Sequence, residues 1–150
     1  MEETLQIKKD NAVKAYYGAD PKGKELLENL LGKSNLSIKM TDMVKNFDDV
    51  LTISGFTKFD RMCWETDDEY AFRQLKLIAA VLNEGWLPDW NNSSQYKYYP
   101  YFDMRNSFSL CYVLCSGFSD VPSRLCFKSE ELALFAAKTF LEIYKNYYTF

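Results

Sequence analysis

The residues best suited to chemistry lie in one aromatic segment, Gln95-Tyr-Lys-Tyr-Tyr-Pro-Tyr-Phe102. On a regular strand Tyr96, Tyr98 and Phe102 project to one side, and Lys97, Tyr99 and Tyr101 to the other. If helices cover the first side, the second presents two tyrosines and a lysine, with Arg105, Arg124 and Lys128 following in sequence. Rings flanked by cations stack on the bases of single-stranded nucleic acid and neutralise its backbone. The same combination anchors protein interfaces. The third outcome is simple packing, with Tyr99 and Tyr101 lying under the N-terminal helices. Just before this segment Trp86 and Trp90 bracket Pro88-Asp89. The indoles are expected to plug a corner between helix and sheet while Asp89 caps the turn, and a pocket there is a further candidate site.

Other chemistry finds little support. The chain has no histidine, so Ser-His and Cys-His nucleophile pairs and His-containing metal sites are excluded within it. An enzyme would have to use Asp, Glu, Lys, Tyr or Cys for proton transfer. Cys63, Cys111, Cys115 and Cys126 lack the tight paired spacing of zinc ligands. Cys111 and Cys115 share a strand face but stand ~13 Å apart there. They are expected to be buried free thiols acting as small apolar residues. The acidic runs Asp48-Asp49 and Asp67-Asp-Glu69 sit where helices begin, so capping accounts for them better than a cation does. The six glycines are all isolated, which removes any phosphate-binding loop. No cofactor or metal is expected.

A chain of 150 residues with 47% hydrophobic residues can fill one core. Net charge is −3, which gives no long-range attraction for polyphosphate. The charge is uneven: residues 41–90 carry ten acidic and five basic side chains, whereas 91–128 carry two and four. A nucleic-acid face would therefore be local to the C-terminal region. The start, Met1-Glu-Glu-Thr, lacks the basic and apolar regions of a signal peptide, and Ser107–Ser119 is too short and polar to span a membrane. A cytoplasmic protein with reduced thiols is the expectation.

These groups need elements to position them. A weak helix is expected over Ile7–Tyr17, and a second begins at Asp20-Pro21 and ends at Gly32. Lys33–Lys39 reads as a polar connector. Asn46 caps a short helix, Phe47–Ile53. The capping box Thr66-Asp-Asp-Glu69 opens a long central helix, Asp67–Glu84, closed by Gly85. Three strands follow: Tyr96–Met104 with Pro100 marking an edge or bulge, Phe108–Cys115 apolar on both faces and hence central, and a short Arg124–Lys128. The links at Arg105–Ser107 and Gly117–Ser123 suit antiparallel hairpins. Ser129 caps a final helix to about Tyr147, apolar over most of its girth, which points to burial on two sides and a surplus for subunit contact.

Four segments, taken in order, resemble a recurrent group of small uncharacterised proteins encoded by phages, prophages and mobile elements of the Bacteroidetes. They are Asn46-Phe-Asp-Asp-Val50, Leu82-Asn-Glu-Gly-Trp-Leu-Pro-Asp-Trp90, the tyrosine segment, and Ser123 through Lys128 and Ser129 to Ala133. The resemblance covers roughly residues 40–150, and Pro122 stands where such proteins have glycine. It implies no activity and no functional residues. It implies a setting: an accessory protein inside a bacterial host cell, binding a host factor, assisting replication or serving assembly.

The sequence thus predicts one α+β domain over 1–150, with residues 1–40 as a candidate helical extension. Its N-terminal helices and long central helix are joined by a three-stranded antiparallel sheet packed by a C-terminal helix. The expected function is a non-enzymatic interaction module that binds a protein through the aromatic sheet face and self-associates through the last helix. The alternatives are a single-stranded nucleic-acid binder using that face and a small enzyme.

Overall fold

The computed structural model describes residues 6–36, 39–105, 107–117 and 123–149. Asn106 and 118–122, where the hairpin links and the Pro122 difference were expected, lie outside the described residues. Among the described residues the chain forms eight helices and a two-stranded antiparallel sheet, a mixed α+β fold.

Local chemistry explains the first half. Helix α1 is Lys9–Gly18 and α2 is Pro21–Leu31, where the Asp20 carboxylate accepts the Gly23 amide at 2.8 Å. The expected connector instead holds a single turn, α3 at Lys33–Leu36, because Leu36 has a buried place to fill. Another turn, α4, covers Met40–Met43. Helix α5, Phe47–Ser54, begins with a reciprocal cap: Asn46 accepts the Asp49 amide at 3.0 Å and Asp49 accepts the Asn46 amide at 3.3 Å. Helix α6, Asp67–Asn83, opens with the Glu69 carboxylate accepting the Thr66 amide at 2.9 Å. Its buried residues Leu75, Ile78, Ala79 and Leu82 form the centre of the core.

The sheet differs from expectation. Strand β1, Lys97–Asp103, pairs only with β2, Ser109–Ser116. The register shifts between Tyr101 and Phe102, leaving Cys111 as an unpaired bulge residue. The bulge lets Leu110 and Val113, three apart, both pack against the core. Strand β2 is therefore an outer strand, with Cys111, Tyr112 and Cys115 exposed. The expected third strand is instead a 3-10 turn, Ser123–Leu125, and one bridge between Tyr98 and Phe127.

Asn83 closes the far edge of this segment. In the bridge, the amides and carbonyls of Tyr98 and Phe127 bond each other at 3.0 and 2.8 Å. The neighbouring backbone groups of Cys126 and Lys128 face the opposite way. Asn83, buried at the end of α6, donates to the Cys126 carbonyl at 2.9 Å and accepts the Lys128 amide at 3.0 Å. One side chain thus occupies the edge that another strand would need. Beyond it the chain reverses through two left-handed residues, Glu84 (φ 51°) and Gly85 (φ 82°). Glu84 carries a Cβ penalty there, and its carboxylate pairs with Lys128 at 2.8 Å.

The last helix is broken at Phe140 into α7, Glu130–Thr139, and α8, Leu141–Tyr148. The first lies against both strands through Leu132, Ala133, Ala136 and Ala137, and the second lies along α6. The break lets one apolar segment serve two partners within the chain, which accounts for its wide apolar girth. Phe140 and Tyr144 are buried, and burial pushes the Tyr144 hydroxyl far above its ordinary range. Phe102 joins them, its ring centroid 4.6 Å from Phe108 and 4.9 Å from Tyr144.

Asn83→Ala leaves a buried carbonyl and a part-buried amide unpaired, so it should cost about 1–3 kcal/mol in urea unfolding. A loss below about 0.5 kcal/mol would show that Asn83 does not hold the segment.

Candidate functional site

The outward face of the hairpin is built by the pairs Tyr99–Leu114 and Tyr101–Tyr112. Tyr101 and Tyr112 stack with centroids 5.0 Å apart and planes inclined by 22°. They remain 48% and 52% exposed. Tyr99 is half-buried. Sequence reasoning missed Tyr112, because only the register, set by the bulge, puts it opposite Tyr101.

The cations expected on this face are elsewhere. Lys97 is wholly buried, correcting its placement beside the exposed tyrosines. Its ammonium donates to the carbonyls of Asp89 at 2.6 Å and Asn92 at 3.0 Å, and lies 5.1 Å from the Trp90 ring centroid. The loop between α6 and β1 has folded over that end of the strand. Gly117 permits the approach: any Cβ there would collide with the Ser93 carbonyl. Arg105 reaches the hairpin end but binds Asp103 through two hydrogen bonds of 3.1 and 3.0 Å. That bond holds the Asp103 carboxyl below its usual range and raises the Arg105 guanidinium. Lys128 is paired with Glu84 at the end of α6.

Arg124 belongs to a different feature, a half-open cleft of about 400 Å³ beside α6. Trp86, Leu87, Pro88 and Trp90 form one wall, Ala79 and Ala80 the floor, and Lys76 and Arg124 contribute charge. Leu87 is 81% exposed. Asp89 caps its own loop, accepting the Asn91 amide at 2.9 Å while its backbone amide donates to Gln95 at 2.7 Å. Trp86 and Trp90 are thus brought to one cleft wall, while the Asp89 side chain is engaged in the loop. Lys76 carried a signal in its spacing: Lys76, Ala80 and Asn83 fall on one side of a helix. That side is polar or small, and only the tertiary structure shows a cleft over it.

The thiols need a correction. Cys126 is buried as expected, and burial pushes its thiol up, but Cys63, Cys111 and Cys115 are exposed. Among the described residues no three His, Cys, Asp or Glu side chains converge as a metal site. Nor, among them, is any helix long and apolar enough to cross a membrane. At the far end of α6, Arg73 donates to Glu65 at 2.9 Å through both Nε and Nη2 and covers the Phe59 ring at 4.3 Å. That bond holds the Glu65 carboxyl below its ordinary value of 4.5 and raises the Arg73 guanidinium. No known protein family, curated protein or solved structure matches the chain.

Two expectations concern these supports. Lys97→Met leaves two loop carbonyls without their donor, so it should cost about 1–3 kcal/mol. It should also open the 86–95 loop to limited proteolysis; unchanged stability and cleavage would mean the loop holds itself. The folded pKa of Glu65 is depressed, so the pair's contribution is complete above pH 4.5 and is lost as pH falls through the depressed value. Glu65→Gln should therefore flatten the acid limb of the stability–pH curve, measured by urea unfolding at pH 3–7.

Proposed function

We propose that the protein is a non-enzymatic interaction module that binds a protein partner through the outward face of the β1–β2 hairpin. The observation that carries this reading is the stacked, half-exposed pair Tyr101–Tyr112. Large amphipathic rings held rigid against each other lose little entropy on contact, which is why tyrosine recurs at binding hot spots. Leu114 and Tyr99 continue the surface at its lower edge.

The nucleic-acid reading rests on the same two rings, since a base could stack on them. It lacks the neutralising charge: Lys97 is buried, Arg105 and Lys128 are paired with carboxylates, and Arg124 lines the separate cleft. Protein contact is therefore the better supported use. The phage or mobile-element setting rests on the resemblance alone. A reducing, cytoplasmic location in a bacterial host suits the three exposed thiols. Self-association through α7 and α8 would rest on Leu134 and Tyr148, the large apolar side chains left exposed there.

The test is affinity capture from the native host with the wild type and with Tyr101→Ala/Tyr112→Ala, each with and without nuclease. The double variant should still unfold cooperatively in urea and should fail to retain a partner that the wild type keeps after nuclease treatment. Equal capture by both proteins would refute the use of this face. Recovery that disappears with nuclease would instead establish the nucleic-acid reading.

A further inference from the structure

Beyond the hairpin face, we propose that a groove along α6 binds an acidic segment of a partner protein bearing aromatic or large aliphatic anchors. The groove is two clefts in line. The Trp86–Trp90 cleft of about 400 Å³ shares Lys76, Ala80 and Arg124 with a second of about 580 Å³, walled by Phe56, Phe59 and Met62. Together they follow α6 from Arg73 to Asn83, a rise of roughly 15 Å. That length suits a peptide of two to three helical turns better than a compact ligand.

Depth comes from side-chain size. Ala80 lies midway, shared by both clefts, where a longer side chain would close the channel, while apolar walls stand at both ends. Phe56, Met62, Leu87 and Trp90 are all exposed. Large exposed apolar side chains gathered at the two ends of one groove mark an interaction site rather than ordinary scattered surface. Pockets at two ends of a groove are how grooves read apolar anchors on a helix or strand.

Charge selects the occupant. Lys76 and Arg124 stand at the middle of the groove and Lys58 at the Phe59 end, and none of the three is in an ion pair among the described residues. Lys76 rests near the Phe72 ring at 4.9 Å, which leaves its charge uncompensated. Against them the groove offers one carboxylate without an ion pair, Asp60, since Glu65 is spent on Arg73. A positive groove on a chain of net charge −3 is a local exception. Complementary charge at an interface favours the matching partner and excludes basic ones. The walls are anchored from behind: Lys97 holds the loop carrying Trp90, and Arg73 bonds the Asp60 carbonyl at 2.8 Å. A preformed groove lowers the ordering cost of binding.

Selection from a displayed library of random peptides about twelve residues long, some 18 Å if helical, tests this on the full chain. The enriched peptides should be acidic with Trp, Phe or Leu anchors. Measured by fluorescence polarisation, they should bind at least about tenfold more weakly to Trp90→Ala and to Lys76→Glu/Arg124→Glu. Affinity should be unchanged in Tyr101→Ala/Tyr112→Ala, which separates this groove from the hairpin face. Selection on the charge-reversed protein should yield basic peptides, a gain that a misfolded variant could not produce. Neutral or basic peptides from the wild type, no enrichment, or binding lost only in the tyrosine variant would overturn the proposal. So would a single-stranded oligothymidine that binds the wild type in the groove, with a steep salt dependence, in place of the acidic peptides.

Discussion

The carboxamide of Asn83 donates to the Cys126 carbonyl and accepts the Lys128 amide at a position closed to water, and the remaining architecture depends on that exchange. A primary amide presents an NH2 donor group and a carbonyl acceptor side by side, which matches the free edge of an extended segment. Through it the end of α6 takes hold of 126–128, whose other edge is already bonded to Tyr98. Both proposed binding surfaces follow. The bridge to Tyr98 positions β1, and hence the tyrosine face. The same clasp draws Arg124 beside α6, where it lines the groove.

Segments 82–97 and 123–128 form one assembly around this clasp. Asn83 and Glu84 receive Lys128, Trp86 and Trp90 share a cleft with Arg124 and Cys126, and Lys97 closes the loop by bonding Asp89 and Asn92. Residues far apart in the chain thus meet in a small volume. Several polar residues that could be read as binding groups are occupied by this internal work. Lys97 is the clearest case, since its charge serves two loop carbonyls and an indole.

Much of the helical half was legible because its signals are local. The caps at Asp20, Asn46, Thr66 and Ser129 satisfy amides within three residues, and α6 follows its apolar period. The errors turn on contacts that the local pattern does not encode. Alternation alone put Lys97 outside because it knows nothing of a loop returning across the strand. Apolar residues on both faces of 108–115 read as a central strand, but the bulge at Cys111 and the limited pairing made it an outer one. The girth of the C-terminal helix read as surplus surface, whereas a break at Phe140 divides it between the hairpin and α6.

The sequence by itself determined which groups are present and which short-range structures they form: caps, helical stripes, aromatic strands, and the absence of histidine and of phosphate loops. These depend on neighbours a few residues away, and spacing along the chain encodes them. Tertiary structure alone decided that Tyr112 stacks on Tyr101, that Lys97 is interior, and that Lys76 and Arg124 share a groove with Trp86 and Trp90. Those outcomes turn on register, on a bulge of one residue and on an edge closed by one amide. Each shifts a side chain from core to solvent with no change in the local pattern.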